Sequence, residues 1–252
     1  MRPNKVRQKW ERGEAASNFW LASDSSVIAE FAAHFGYDSI TVDAQHGFSD
    51  NSDMLGMIQA MAATSSTPFV RLRWNDPGQI MRALDAGSYG LICPMVNSAE
   101  DAEHLVRYAR YPPHGERSWG PHRAILYSGD DYRSQIDNTV IVLPMIETKA
   151  GYTELDNILD VDGIDGVYVG PSDLSLSLGF EPAADTQEPK VWAAIEDIGK
   201  RARAAGKACA IFCGSVSMAR RARDIGFNLI TLTADLTSMS ASAKATLAEF
   251  EE

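Results

Sequence analysis

Asp43, His46, Arg71, Glu147 and Asp173 are side chains suited to proton, anion or metal chemistry, and each stands where an apolar run breaks off. Asp43 and His46 follow Ile40, Thr41 and Val42 in "SITVDAQHGFSD". Arg71 ends "TPFVR", Glu147 ends "VIVLPMIE", and Asp173 ends "GVYVGPSD". A carboxylate three residues before a histidine, around a strand-to-loop bend, can hydrogen-bond to the imidazole, fix its tautomer and raise its basicity. The alternative is an ordinary loop histidine. Glu147 and Asp173 lie one strand–helix unit apart, so they project from neighbouring strands and repel unless something positive lies between them. A divalent cation meets that need. Two protein carboxylates leave coordination positions for water and substrate, which suits Mg²⁺ or Mn²⁺. The other reading has each carboxylate capping the helix that follows it. Arg71, planar and always charged, suits a substrate carboxylate or an enolate oxygen, and equally a salt bridge to Asp43 or Glu147.

The elements that must position these groups alternate. Short β-branched runs, "NFWLAS", "DSITVDA", "TPFVRLR", "YGLICPM", "TVIVLPMIE", "DGVYVG", "ACAIFC" and "NLITLTA", are separated by segments of helical period. Several runs are apolar on consecutive positions, as parallel strands covered on both faces are. "DSSVIAEFAAHFG" puts Val27, Ile28, Phe31, Ala32 and Phe35 on one face, with Asp24 or Ser25 as N-cap and Gly36 as stop. "NDPGQIMRALDAG", "NSAEDAEHLVRYARYPP", "EPKVWAAIEDIGKRARAAG" and "SVSMARRARDIG" repeat the pattern. Eight strand–helix units with no Gly/Ser-rich linker predict a single α/β domain over 1–252, a (β/α)₈ TIM barrel. An open doubly wound sheet is disfavoured because no G-x-G-x-x-G follows the first strand. The connections from Tyr111 to Asn138 and from Leu174 to about Pro189 are long, as lids and interface arms are. In a barrel the chemistry gathers at the C-terminal strand ends, which here bring Trp20, Asp43, His46, Arg71, Pro94, Met95, Glu147, Asp173, Phe212, Thr233 and Asp235 to one rim.

A formal net charge of −11 over 252 residues argues against nucleic acid and anionic membrane as partners. No apolar run is long enough for a membrane span, and "MRPNKVRQKWERGEAA" lacks a signal peptide's apolar core and reads as a short charged helix. Cys93, Cys209 and Cys213, an odd count without C-x-x-C spacing, fit buried packing in a cytoplasmic protein rather than disulfides or zinc. A Schiff-base mechanism needs a lysine inside the barrel, and Lys149 and Lys207 are poorly placed for it. A phosphorylated substrate is also disfavoured, because "FCGSVS" and "TADLTS" make a poor phosphate cradle.

With these residues in place, "VDAQHG", "VRLRWNDPGQIMRALDAGSYGLICPMVNSAEDA", "RYPPHGERSWGP", "MIETKAG" and "DVDGIDGVYVGPSDLSLSLG" together resemble the class II, metal-dependent pyruvate aldolases of the 4-hydroxy-2-oxoheptanedioate aldolase family. The likeness runs from about Trp20 to Asp235. It implies reversible aldol cleavage of 4-hydroxy-2-oxo acids to a small 2-oxo acid and an aldehyde, with a divalent cation (Mg²⁺, Mn²⁺ or Co²⁺). By position, Glu147 and Asp173 match the metal ligands, and Arg71 matches the arginine on the keto oxygen. His46, supported by Asp43, matches the acid/base dyad. The backbone N–H groups of Ser172 and Asp173 match the turn that takes the substrate carboxylate, and Trp20 and Phe212 match pocket positions. The family also implies a homo-hexamer in which the last helix, here within "LTSMSASAKATLAEF", is exchanged between subunits. Met145, where many relatives carry Gln, and Gln45, where many carry Glu, bring the chain closer to the hydroxyketoacid aldolase branch, which also takes hydroxypyruvate. Arg117, His122 and Arg123 either meet the aldehyde's distal end across an interface or belong to a solvated arm around Trp119. The competing functions are a CoA-thioester lyase of malyl or citryl type and a catalytically silent binding barrel.

Overall fold

The computed structural model describes residues 1–252. Its strands are β1 (Ala16–Leu21), β2 (Ser39–Asp43), β3 (Thr67–Arg71), β4 (Gly90–Cys93), β5 (Ile141–Ile146), β6 (Gly166–Val169), β7 (Ala208–Phe212) and β8 (Leu229–Ala234). They pair in parallel in sequence order, and β8 returns to β1 to close the barrel. The helices are α1 (Lys5–Glu11), α2 (Ser26–Ala33), α3 (Asn51–Met61), α4 (Pro77–Asp85), α5 (Ala99–Ala109), α6 (His122–Ser128) and α7 (Tyr132–Thr139). After β5 come α8 (Lys149–Thr153), α9 (Leu155–Leu159), α10 (Pro171–Ser177), α11 (Pro189–Ala204), α12 (Val216–Asp224) and α13 (Asp235–Glu251). Every strand expected from the sequence is present, as the eight-unit barrel requires.

The strands are apolar on both faces because both are buried, against two different cores. The outer core, between sheet and helices, takes Leu21, Val42, Val70, Leu91, Cys93, Val142, Ile146, Val167 and Ile211. The inner core, inside the barrel, takes Ala16, Trp20, Phe69, Ile92, Ile141, Leu143, Met145, Tyr168, Ala210 and Leu229. This alternation places the chemistry, since a side chain two residues beyond an inner position also points inward, at the C-terminal mouth. Below the mouth the interior is partly polar. Asn18 donates to Thr231 Oγ1 (2.7 Å) and accepts from Ser39 (2.9 Å) and Thr41 (3.0 Å), while the Tyr168 hydroxyl also meets Thr231 (2.6 Å). The opposite mouth is plugged by α1, whose Val6 is fully buried and whose Asn4 caps the helix.

Two expectations change. The stretch from Tyr111 to Asn138 is half helical, carrying α6 and α7 after an irregular first part. On α2, the apolar face is not the buried face. Ala29, Ala32 and Ala33 are buried, whereas Val27, Ile28, Phe31 and Phe35 are exposed, Phe31 at 66%. The helix packs chiefly on α3, its small residues are buried, and the bulky ones are left outside.

Candidate active site

Parity accounts for most of the site. Arg71 lies two past Phe69, Glu147 two past Met145, Gly170 two past Tyr168 and Phe212 two past Ala210, all inner positions. Asp43 lies two past Thr41, whose hydroxyl reaches Asn18 inside the barrel. These residues and Trp20, His46, Met145, Tyr168, Pro171, Ser172, Asp173 and Ala184 line one cavity of about 250 Å³. Every site residue expected from the sequence, Trp20, Asp43, His46, Arg71, Glu147, Ser172, Asp173 and Phe212, faces it. Met145 and Tyr168 could have been found by counting back two from Glu147 and Gly170. Ala184 could not, since it arrives on the loop between α10 and α11, and nothing in "EPAADTQ" marks it.

Asp43 is the most heavily bonded group. β2 and β3 pair Asp43 directly with Arg71, and the guanidinium grips the carboxylate in a fork, Nε to Oδ1 at 2.9 Å and Nη2 to Oδ2 at 2.6 Å. Trp20 Nε1 donates to Oδ2 at 3.1 Å, and the backbone N–H groups of Gln45 and His46 donate to Oδ1 at 3.1 and 3.2 Å. Burial alone would raise the Asp43 pKa, but the Arg71 bonds and charge outweigh it and hold the carboxyl below its ordinary value. Asp43 is therefore a fixed anion. This corrects the side-chain dyad expected from spacing: Asp43 holds His46 through its backbone N–H, and the imidazole stands exposed at the mouth. With all its lone-pair directions engaged by N–H donors, the carboxylate has little left to offer the ring. Gly47 permits the bend, because a Cβ there would lie 2.2 Å from the Asp43 carbonyl oxygen. Arg73, two residues past Arg71, donates to the carbonyls of Ala44 (3.1 Å) and Ser49 (3.0 Å), pinning the His46 loop.

Arg71 thus forms the salt bridge and also faces the cavity. Its Nε–H and one Nη2–H are committed to Asp43, which leaves the Nη1 N–H groups and the second Nη2 N–H for a ligand. The Trp20 ring lies 5.0 Å from the guanidinium carbon and is flanked by Tyr168 (5.9 Å) and, edge-on, by Phe212 (5.5 Å).

Across the cavity Glu147 is 2% exposed. Its Oε1 accepts the backbone N–H of Met95 at 2.8 Å. Its Oε2 fills the space beside Gly170, where a Cβ would come within 2.5 Å of it. Burial first, then the charge of Asp173, push the carboxyl up to about 7 against the pull of the Met95 N–H and Arg71. The buried Glu147 carboxylate, with Oε2 uncommitted, and the half-buried Asp173 carboxylate form a hard-oxygen site that a small divalent cation fits, since its charge removes both the repulsion and the burial penalty. No third His, Cys, Asp or Glu joins them, so any remaining coordination falls to water or ligand. Asp173 sits in the first turn of α10, which has Pro171 at its start and no side-chain cap, so the first-turn N–H groups of Ser172 and Asp173 are available to an anion.

The remaining rim and arm residues are structural. Thr233 bonds Ser238 (2.8 Å), and the Asp235 carboxylate takes the N–H groups of Ala22 (2.9 Å) and Ser23 (3.0 Å), tying α13 to the end of β1. Arg117 is buried, donating to Asp85 (2.7 Å) and Tyr132 (3.0 Å), and Arg123 donates to the Ala86 carbonyl (2.7 Å). Both partners lie at the foot of the barrel, before β4, so neither arginine reaches this cavity. No lysine lines it either, as expected for a site without Schiff-base chemistry.

Comparison with known proteins places the chain among aldolase-like relatives. The family described as HpcH/HpaI aldolase/citrate lyase matches residues 16–242. A hydroxypyruvate/pyruvate aldolase of Rhizorhabdus wittichii is 44% identical over 246 residues, 98% of either chain. A 4-hydroxy-2-oxo-heptane-1,7-dioate aldolase of Salmonella dublin is 38% identical over 250 residues, 98% of this chain and 94% of that one. Among solved structures, an HpcH/HpaI aldolase/citrate lyase family protein of Burkholderia cenocepacia superposes with a TM-score of 0.92 at 32% identity, covering 99% of this chain and all of that one.

Proposed function

The chain belongs to the HpcH/HpaI aldolase/citrate lyase family, and from that premise we propose that it is a metal-dependent aldolase cleaving and forming 4-hydroxy-2-oxo acids. The products of cleavage are pyruvate or hydroxypyruvate and an aldehyde. The observation that carries this reading is the meeting, in one small cavity, of an arginine with uncommitted donors, a carboxylate pair fit for a cation, and an exposed histidine. Glu147 and Asp173 would hold the cation, Mg²⁺, Mn²⁺ or Co²⁺, which when bound supplies Lewis-acid polarisation of the 2-oxo acid.

The chain's own residues then divide the work. The first-turn N–H groups of Ser172 and Asp173 receive the substrate carboxylate. Arg71 Nη1 donates to the keto oxygen, where negative charge gathers as the C3–C4 bond breaks. Asp43 takes no proton; it fixes the plane of Arg71 so that this donor is aimed before substrate arrives. His46 removes the proton from the C4 hydroxyl in cleavage and passes it to C3 of the enolate as the 2-oxo acid forms, reversing both transfers in synthesis; its exposure at the mouth supports this role. Trp20 and Phe212 wall the cavity and keep water from the enolate. A CoA-thioester lyase draws no support from the cavity, where Arg71 is the one Lys or Arg.

The working form in this reading is a cytoplasmic homo-hexamer that exchanges α13. Support comes from exposed apolar groups: Val27, Ile28 and Phe31 on α2, Phe35 just beyond it, and Met239, Leu247 and Phe250 on α13. No helix is long and apolar enough to cross a membrane.

The deciding experiment is aldol turnover with pyruvate and hydroxypyruvate over a panel of aldehydes, after EDTA and after restoring Mg²⁺, Mn²⁺ or Co²⁺. Turnover that is lost and then restored is expected. Turnover indifferent to EDTA, in protein shown by elemental analysis to be metal-free, refutes the assignment.

A further inference from the structure

Met95 is the only non-glycine residue of the chain with positive φ, at 58°. That left-handed conformation is costly for a residue bearing a Cβ and persists only where neighbours enforce it. Its backbone N–H is the one that bonds Glu147 Oε1, at 2.8 Å. The enforcing neighbour is Asn97. Its Nδ2 donates to the Met95 carbonyl at 2.9 Å, while its own N–H is held by Asp101 Oδ2 at 2.9 Å, at the start of α5. The Asn97 amide is fixed in turn by the hydroxyl of Thr148, the residue after Glu147. Thr148 also accepts the N–H of Gly151 at 2.9 Å as the cap of α8. The loop after β4 is seated on that helix start, for a Cβ on Gly151 would meet the Val96 carbonyl at 2.6 Å. Hydrogen bonds and chain connectivity therefore run in a closed ring, Glu147 to Met95 to Asn97 to Thr148 and back to Glu147.

We propose that Asn97 is a positioning residue for the cation site: by holding Met95 left-handed it aims the Met95 N–H at Glu147 Oε1 and leaves Oε2 presented toward Asp173. The inference rests on the reading of Glu147 as a cation ligand. Without the Asn97 amide, Met95 relaxes to negative φ, its N–H turns away, and the Glu147 carboxylate loses the contact that sets its rotation. Partners that orient metal-binding side chains in this way change affinity by about 10- to 100-fold when removed.

The test is calorimetric titration of Mn²⁺ into metal-stripped protein: wild type, Asn97→Ala, Asn97→Ala with Met95→Gly, and Glu147→Gln. Asn97→Ala is expected to weaken Mn²⁺ binding by about tenfold or more. Adding Met95→Gly is expected to recover most of that loss, because glycine adopts positive φ without enforcement. A loop with a purely structural role would lower the melting temperature of Asn97→Ala and leave its Mn²⁺ affinity alone. Binding within twofold of wild type in folded Asn97→Ala, or no recovery in the double variant, overturns the proposal. Should Asn97→Ala not fold, Thr148→Val removes only the hydroxyl that fixes the amide. A loss of about threefold is then expected, and unchanged affinity overturns the proposal. Wild type binding Mn²⁺ no better than Glu147→Gln sinks the ligand reading itself, an outcome distinct from a silent Asn97.

Discussion

Glu147→Gln sets stability against function in a way the geometry makes quantitative. In the metal-free protein the buried carboxyl is raised from its ordinary 4.5 to about 7, with burial the leading cause. The folded state therefore keeps a proton that the unfolded chain gives up, and stability falls as pH rises through that window. At about 1.4 kcal/mol per decade of proton affinity, the ionised Glu147 costs the metal-free fold about 3 kcal/mol at pH 8. Glutamine keeps the shape and can still accept the Met95 N–H, but carries no charge. Metal-free Glu147→Gln should thus melt higher than wild type by roughly 6 °C at pH 8, with the gap narrowing to about 1 kcal/mol at pH 5. Saturating Mn²⁺ should reverse the order, since a ligand stabilises only the protein that binds it. Differential scanning calorimetry from pH 5 to 8, with and without Mn²⁺, measures all of this. Equal melting temperatures at pH 8, or a gap that does not change with pH, would refute the reasoning.

Arg71→Lys keeps the charge beside Asp43 but loses the fork, so kcat should fall by about a hundredfold; wild-type kcat would show that Nη1 is not the working donor. His46→Ala should lose about 10²- to 10⁴-fold in turnover while binding Mn²⁺ as wild type does, and unchanged turnover removes it from the mechanism. Phe212→Ala takes away the ring that meets Trp20 edge-on. It should shift kcat/KM toward branched aldehydes by about tenfold relative to acetaldehyde, and an unaltered preference would place the acceptor elsewhere. Phe31→Asp changes a side chain that is 66% exposed in the single chain. It should leave the secondary structure intact and give a lighter species in sedimentation, and an unchanged sedimentation profile means that α2 is not covered by a partner.

The barrel and most of the residues that line the cavity are legible along the chain. Continuous apolar runs can satisfy two buried faces only as parallel strands covered on both sides, and the two-residue period then carries Arg71, Glu147 and Phe212 inward beyond Phe69, Met145 and Ala210. What those side chains do to one another was decided by closure of the barrel. The register of β2 on β3 puts Asp43 against Arg71, so the arginine captures the carboxylate that spacing alone would give to the His46 ring. Glu147 is acidic in composition, yet it is held near neutrality by a depth of burial that no local pattern encodes. Ala184 reaches the cavity from a loop whose path is set by what it packs on, and the face that α2 turns to solvent depends on its packing against α3. Periodicity is a local property of the backbone and can be read along the chain. Pairing, burial and the resulting charge states depend on distances through space, which exist only once the chain has closed on itself.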